Sequence, residues 1–72
     1  MTEKFIVTTI TQFFHGEMHV SQLILCSEFV EAEFAAKKML EDPEDCVDQI
    51  DVYIDHFPAL TRIQHITWRR PP

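Results

Sequence analysis

The sequence predicts a single small α+β domain, an antiparallel sheet with one helix on one face, in the order ββαββ or, on an alternative reading, ββααβ. Three observations predict it. Two runs rich in β-branched and aromatic residues flank the only glycine, one Glu- and Ala-rich stretch places its apolar residues at helical spacing, and two further β-like runs follow.

The first run, residues 4–14, and the second, residues 18–26, are dominated by Phe, Ile, Val, Thr and Leu and read as strands. Between them stands His15-Gly16, and a two-residue loop with glycine is a favoured hairpin connection. That loop pairs Phe14 with Glu17, and the register then sets Phe13 opposite Met18, Thr11 opposite Val20, Val7 opposite Ile24 and Phe5 opposite Cys26. The other face carries Phe14, Ile10, Ile6, Leu23 and Leu25, broken by Gln12, His19, Ser21 and Thr8.

Ser27 is a natural N-cap, and Glu28 and Glu31 follow it in the first turn, where negative charge complements the helix dipole. Phe29, Ala32, Ala35, Ala36, Met39 and Leu40 form one stripe, Glu33 and Lys37 make an i,i+4 pair, and Asp42-Pro43 ends the run. The helix is therefore expected over residues 28–41, with Phe29, Ala36 and Leu40 supplying the main core. Val30 and Phe34 project from the other side, and Phe34 is expected to pack under the C-terminal segment.

Residues 46–57 fit both periods: Ile50, Val52 and Ile54 alternate with Asp51 and Asp55, while Val47, Ile50, Ile54 and Phe57 share a helical face. The richness in β-branched residues favours a strand. Pro58 breaks this run, and Leu60 to Trp68 reads as the last strand. One domain over residues 1–70 with a tail at 71–72 follows.

A chain of 72 residues holds one core, and a domain of this size buries only about 60% of the surface its unfolded chain exposes. No apolar stretch approaches the roughly 18 residues of a membrane span, and the N-terminus lacks the basic region and cleavage site of a signal peptide, which predicts a cytoplasmic protein. Cys26 and Cys46 then read as small buried hydrophobes, with neither the export signal of a disulfide nor the spacing of a metal site. His15, His19, His56 and His65 read as surface or half-buried residues. The acids lack the spacing and glycine of a calcium loop, and one glycine leaves no phosphate loop. No cofactor, no metal and no enzymatic activity are expected.

The net charge of −6 is unevenly spread: Glu41, Asp42, Glu44, Asp45, Asp48, Asp51 and Asp55 fall together without a Lys or Arg, while Arg62, Arg69 and Arg70 lie in a final segment without an acid. Such a chain repels nucleic acid over most of its surface. The acidic run is either a solvated edge or a carboxylate array that meets a basic groove on a protein. Contact residues on the second reading are Glu44, Asp45, Asp48, Asp51 and Asp55, with Arg62. The surplus apolar sheet face of Ile6, Ile10, Leu23 and Leu25 reads as a dimer face.

The order of elements, with Lys4-Phe5 opening a strand and Thr61-Arg62-Ile63 in a returning one, resembles the small inhibitors of host RNA polymerase made by short-tailed coliphages. The resemblance covers about half the chain at pattern level, and the acidic segment 43–57 has no counterpart there. It implies a non-enzymatic inhibitor whose Arg62 and acidic surface meet the polymerase in the host cytoplasm. The wider expectation is a small phage-type inhibitor of a host nucleic-acid-processing or defence complex. The alternative is a homodimeric bacterial α+β domain of structural or regulatory role.

Overall fold

The computed structural model describes residues 4–25, 28–57, 59 and 61–72, with the backbone alone for Leu25. Strand β1 spans Lys4–Phe13, β2 Met18–Leu25, β3 Val47–Phe57 and β4 Thr61–Arg69, and helix α1, Phe29–Lys38, lies between β2 and β3 in sequence. The strands form one antiparallel sheet in the order β2-β1-β3-β4, so β1 is inserted between the two strands that the helix connects.

The expected α+β class is corrected: the protein is mostly antiparallel sheet, with strands of ten, eight, eleven and nine residues against one ten-residue helix. The helix packs mainly on β1 and β3, the two central strands. It is also shorter than its apolar spacing suggests. After Lys38 the backbone tightens, Leu40 N–H bonding to Lys37 O and Glu41 N–H to Lys38 O, and Asp42 then takes a positive φ of 48° ahead of Pro43. At the other end Glu28 is the N-cap and makes no side-chain capping bond. The expected Ser27 cap, Cys26 and the Pro58 break lie outside the described residues.

Residues 47–57 form a strand, which removes the ββααβ alternative. Its β-branched residues decide the matter by packing: Ile50, Val52 and Ile54 point to the helix side and are buried. Val47 joins them although it is three residues from Ile50, because the ladder shifts there. Gln12 faces Gln49 and Phe13 faces Val47, leaving Asp48 as the extra residue of a bulge.

The hairpin register is corrected by one residue. Phe13 N–H donates to Glu17 O (2.9 Å) and Gly16 N–H to Phe13 O (3.0 Å), so the loop is Phe14-His15-Gly16, with Gly16 at φ +94°. Such three-residue loops end in a left-handed residue that makes a bulge, the position where glycine is least strained. The partners are therefore Phe5 with Leu25, Ile6 with Ile24, Val7 with Leu23 and Ile10 with Val20. A slip of one residue exchanges the faces of a strand.

The core follows from this register. Phe5, Val7, Val47, Ile50, Val52 and Ile54 pack under Ala32 and Ala36, with Phe13, Phe29, Leu40, Ile66 and Trp68 partly buried around them. The alanines let the helix lie close to the sheet, and the strands supply the bulk. Phe29 is thus an edge of the core, set edge-on to Phe5 with ring centroids 5.9 Å apart. Phe34 does not pack under the C-terminal segment; it is exposed, as are Val30 and Cys46.

Candidate functional site

The face of the sheet away from the helix is built by alternation: Ile6, Thr8, Ile10 and Gln12 from β1, Met18, Val20, Gln22 and Ile24 from β2, Gln49, Asp51, Tyr53 and Asp55 from β3, and Arg62, His65, Thr67 and Arg69 from β4. The side chains divide it into two halves of different chemistry.

The β3–β4 half is a connected polar and aromatic network. Asp51 is the hub: Thr67 Oγ1 donates to its Oδ1 (2.8 Å), His65 Nε2 lies 2.9 Å from the same oxygen, and Gln49 Nε2 donates to Oδ2 (2.8 Å). Partial burial opposes ionisation of Asp51, but the hydrogen bonds from His65, Gln49 and Thr67 outweigh it and hold the carboxyl below the usual carboxylate range. The Tyr53 and His65 rings stack at 4.2 Å, and the Arg62 guanidinium sits 4.1 Å above the Tyr53 ring while its Nε donates to Asp55 Oδ1 (3.0 Å). Arg69 donates twice to Gln49 Oε1.

Among the described residues the β1–β2 half has no such network. Gln22 Nε2 donates to Thr8 Oγ1 at 3.3 Å, and around that bond Met18, Val20 and Ile24 stand 57, 64 and 59% exposed beside the half-buried Ile6 and Ile10. Where the halves meet, Ile6, Gln22, Asp55 and Arg62 line a depression of about 340 Å³.

The expected contact carboxylates are not gathered into one array. Asp51 and Asp55 are held by β4, and Asp48 sits at the bulge, its carbonyl accepting from Arg70 N–H. Glu44 and Asp45 lie in the exposed loop before β3, where Arg70 donates to the carbonyls of Val47 and Glu44 (both 2.7 Å) and stacks on Trp68 at 5.1 Å. Arg62 is Asp55's partner in the network. Among the described residues no group of three His, Cys, Asp or Glu is placed to hold a metal ion, and no helix is long and apolar enough to cross a membrane.

Of the expected dimer face, Ile6 and Ile10 stay together on the open side, but Leu23 pairs with Val7 and moves to the helix side. Leu25 is the partner of Phe5, and its side chain lies outside the described residues. Met18, Val20 and Ile24 take their place. They are missed by a two-residue loop and recovered by a three-residue one, so the signal lay in the loop length. Tyr53 and His65 were signalled by period-two spacing from Asp51, Asp55 and Thr67.

No family model, no curated protein and no solved structure matches the chain.

Proposed function

We propose that the chain is a non-enzymatic protein-binding module of the cytoplasm, and that it binds through the β1–β2 half of its open face by apolar contact. The observation that carries this reading is the exposure of Met18, Val20 and Ile24 beside Ile6 and Ile10, two apolar clusters on either side of the Thr8–Gln22 pair on a very small domain. The opposite half already satisfies its own polar groups, which leaves less for a partner to gain there.

The inhibitor reading places the contact on the acidic run instead. Two of its carboxylates, Asp51 and Asp55, are engaged within the chain, so this reading falls back on Glu44 and Asp45 in the exposed loop. Affinity capture with the wild-type chain, a Val20→Asp variant and a Glu44→Lys, Asp45→Lys variant separates the two. Apolar binding predicts that Val20→Asp loses the captured protein while the charge reversal keeps it. The reverse pattern overturns the proposal in favour of an acidic inhibitor, whose capture would also weaken steeply with salt.

A further inference from the structure

We infer that β2 pairs antiparallel with β2 of a second copy of this chain, about a two-fold axis at Ser21, to give one sheet of eight strands, four from each copy. This rests on the binding reading of the β1–β2 half and names the partner of its edge.

The two edges of the sheet differ. Strand β4 carries Arg62 and Arg69, and a bulge where Ile54 faces Gln64 but Asp55 faces Arg62 leaves Ile63 as an extra residue. Both are devices that block edge pairing. Strand β2, Met-His-Val-Ser-Gln-Leu-Ile-Leu, has no Lys, Arg, Asp, Glu or Pro and no shift in its ladder with β1. It is a regular, uncharged edge.

Its backbone also has a defined outward set. Phe13 N–H bonds to Glu17 O, and hydrogen-bonded pairs recur at every second residue of an antiparallel ladder. The odd-numbered residues of β2 therefore bond to β1, and Met18, Val20, Gln22 and Ile24 turn their N–H and C=O groups outward. With Ser21 on the axis, Met18 faces Ile24 of the second copy and Val20 faces its Gln22, so each outward residue within the strand has an outward opposite. Even-numbered residues meet even-numbered ones, which keeps the open faces of both copies on one side. The interface is self-complementary, as a two-fold contact requires.

Charge leaves this edge open to a second copy, because β2 itself carries no Lys, Arg, Asp or Glu. Two chains of net charge −6 repel unless their carboxylates are kept apart. The acidic loop lies beside the hairpin turn, Phe14 N–H donating to Cys46 O (3.0 Å), and antiparallel pairing of β2 puts the two turns at opposite ends. A strand of this length holds them about 25 Å apart, beyond the screening length of about 8 Å at physiological ionic strength. Pairing also joins the two apolar halves into one central strip, with a polar network on each flank.

Sedimentation equilibrium of the full chain tests the inference. The wild type is expected at about twice the 8.5 kDa chain mass, and Gln22→Pro at the single mass with its circular dichroism retained, because proline there removes only an outward N–H and the Gln22–Thr8 bond. In a Cys26→Ser, Cys46→Ser background, Ser21→Cys is expected to cross-link two copies on mild oxidation, since residues facing each other in a non-hydrogen-bonded pair lie about 4.5 Å apart at Cα. A wild type that keeps the single mass up to millimolar concentration overturns the pairing. So does a dimer that survives Gln22→Pro and is not cross-linked through Ser21→Cys. A monomer that still loses its captured protein on Val20→Asp refutes the pairing and leaves the binding reading intact, whereas a cross-linked dimer that captures nothing does the opposite.

Discussion

The β1–β2 and β3–β4 halves of the open face are built on the same pleated backbone, yet only one of them is chemically finished. On β3–β4 each exposed polar group of the network has a partner across the ladder: Asp55 has Arg62, Asp51 has His65 and Thr67, and Gln49 has Arg69. On β1–β2, Met18, Val20 and Ile24 face solvent around the Gln22–Thr8 hydrogen bond. The edges follow suit, one charged and bulged, the other uncharged and regular. A sheet can thus present one surface that keeps to itself and one that calls for a neighbour.

The largest expected effect separates the strands by depth. Ile54 on β3 is fully buried, so Ile54→Ala should cost about 2–5 kcal/mol, whereas Leu23→Ala on β2, where the side chain is 40% exposed, should cost about 1 kcal/mol. Urea midpoints for the two variants check this, and equal shifts would show that the core extends under β2 as much as under β3. Phe29→Ala belongs between them, because its ring is only partly buried.

Gly16→Ala comes next, at about 1 kcal/mol. Nothing lies within 4 Å of an added Cβ, so the cost is that of holding alanine at φ +94°. A denaturation midpoint unchanged from wild type would contradict the three-residue loop and the register that depends on it.

Arg62→Ala should cost about 0.5–1 kcal/mol, since the side chain is 58% exposed and its bond to Asp55 is screened. The matching change on the other half, Val20→Thr, should leave the stability of the single chain almost unchanged. Comparing the two by thermal melts at low concentration shows whether only the β3–β4 half stabilises the fold.

The smallest effect is in the acid limb. The Asp51 carboxyl titrates lower in the folded chain than in the unfolded one, so its contribution is complete above the ordinary carboxylate range near pH 4 and is lost as the pH falls through the lower folded value. Asp51→Asn should flatten the fall of stability on that side. Parallel stability curves for variant and wild type would show that the hydrogen bonds from His65, Gln49 and Thr67 do not favour the ionised form.

Much of the layout is legible from residue types alone. The lone Gly16 marks the turn, and the β-branched alternation of Ile50, Val52 and Ile54 settles a segment whose helical period was equally regular. What escaped was geometry at single-residue precision. One more residue in the loop moved Leu23 to the helix side and brought Ile24 to the open face, and one bulged residue, Asp48, put Val47 and Ile50 on the same side. The acidic run was visible as a charge pattern, but the engagement of Asp51 and Asp55 was not, because Asp51 meets His65 and Thr67, and Asp55 meets Arg62, only once β3 and β4 are in register. Phe34 is exposed for a related reason: the helix lies mainly on the two central strands, and the ring faces away from them beside Lys38, whose Nζ is 5.8 Å from its centroid.

Amide hydrogen exchange across the sheet as a function of protein concentration tests the difference between the halves most directly. The amides of Val20, Gln22 and Ile24 should gain protection as concentration rises, while those of β4 keep the same rates. Rates on β2 that stay fast at every concentration, or protection that appears on β4 instead, would contradict it.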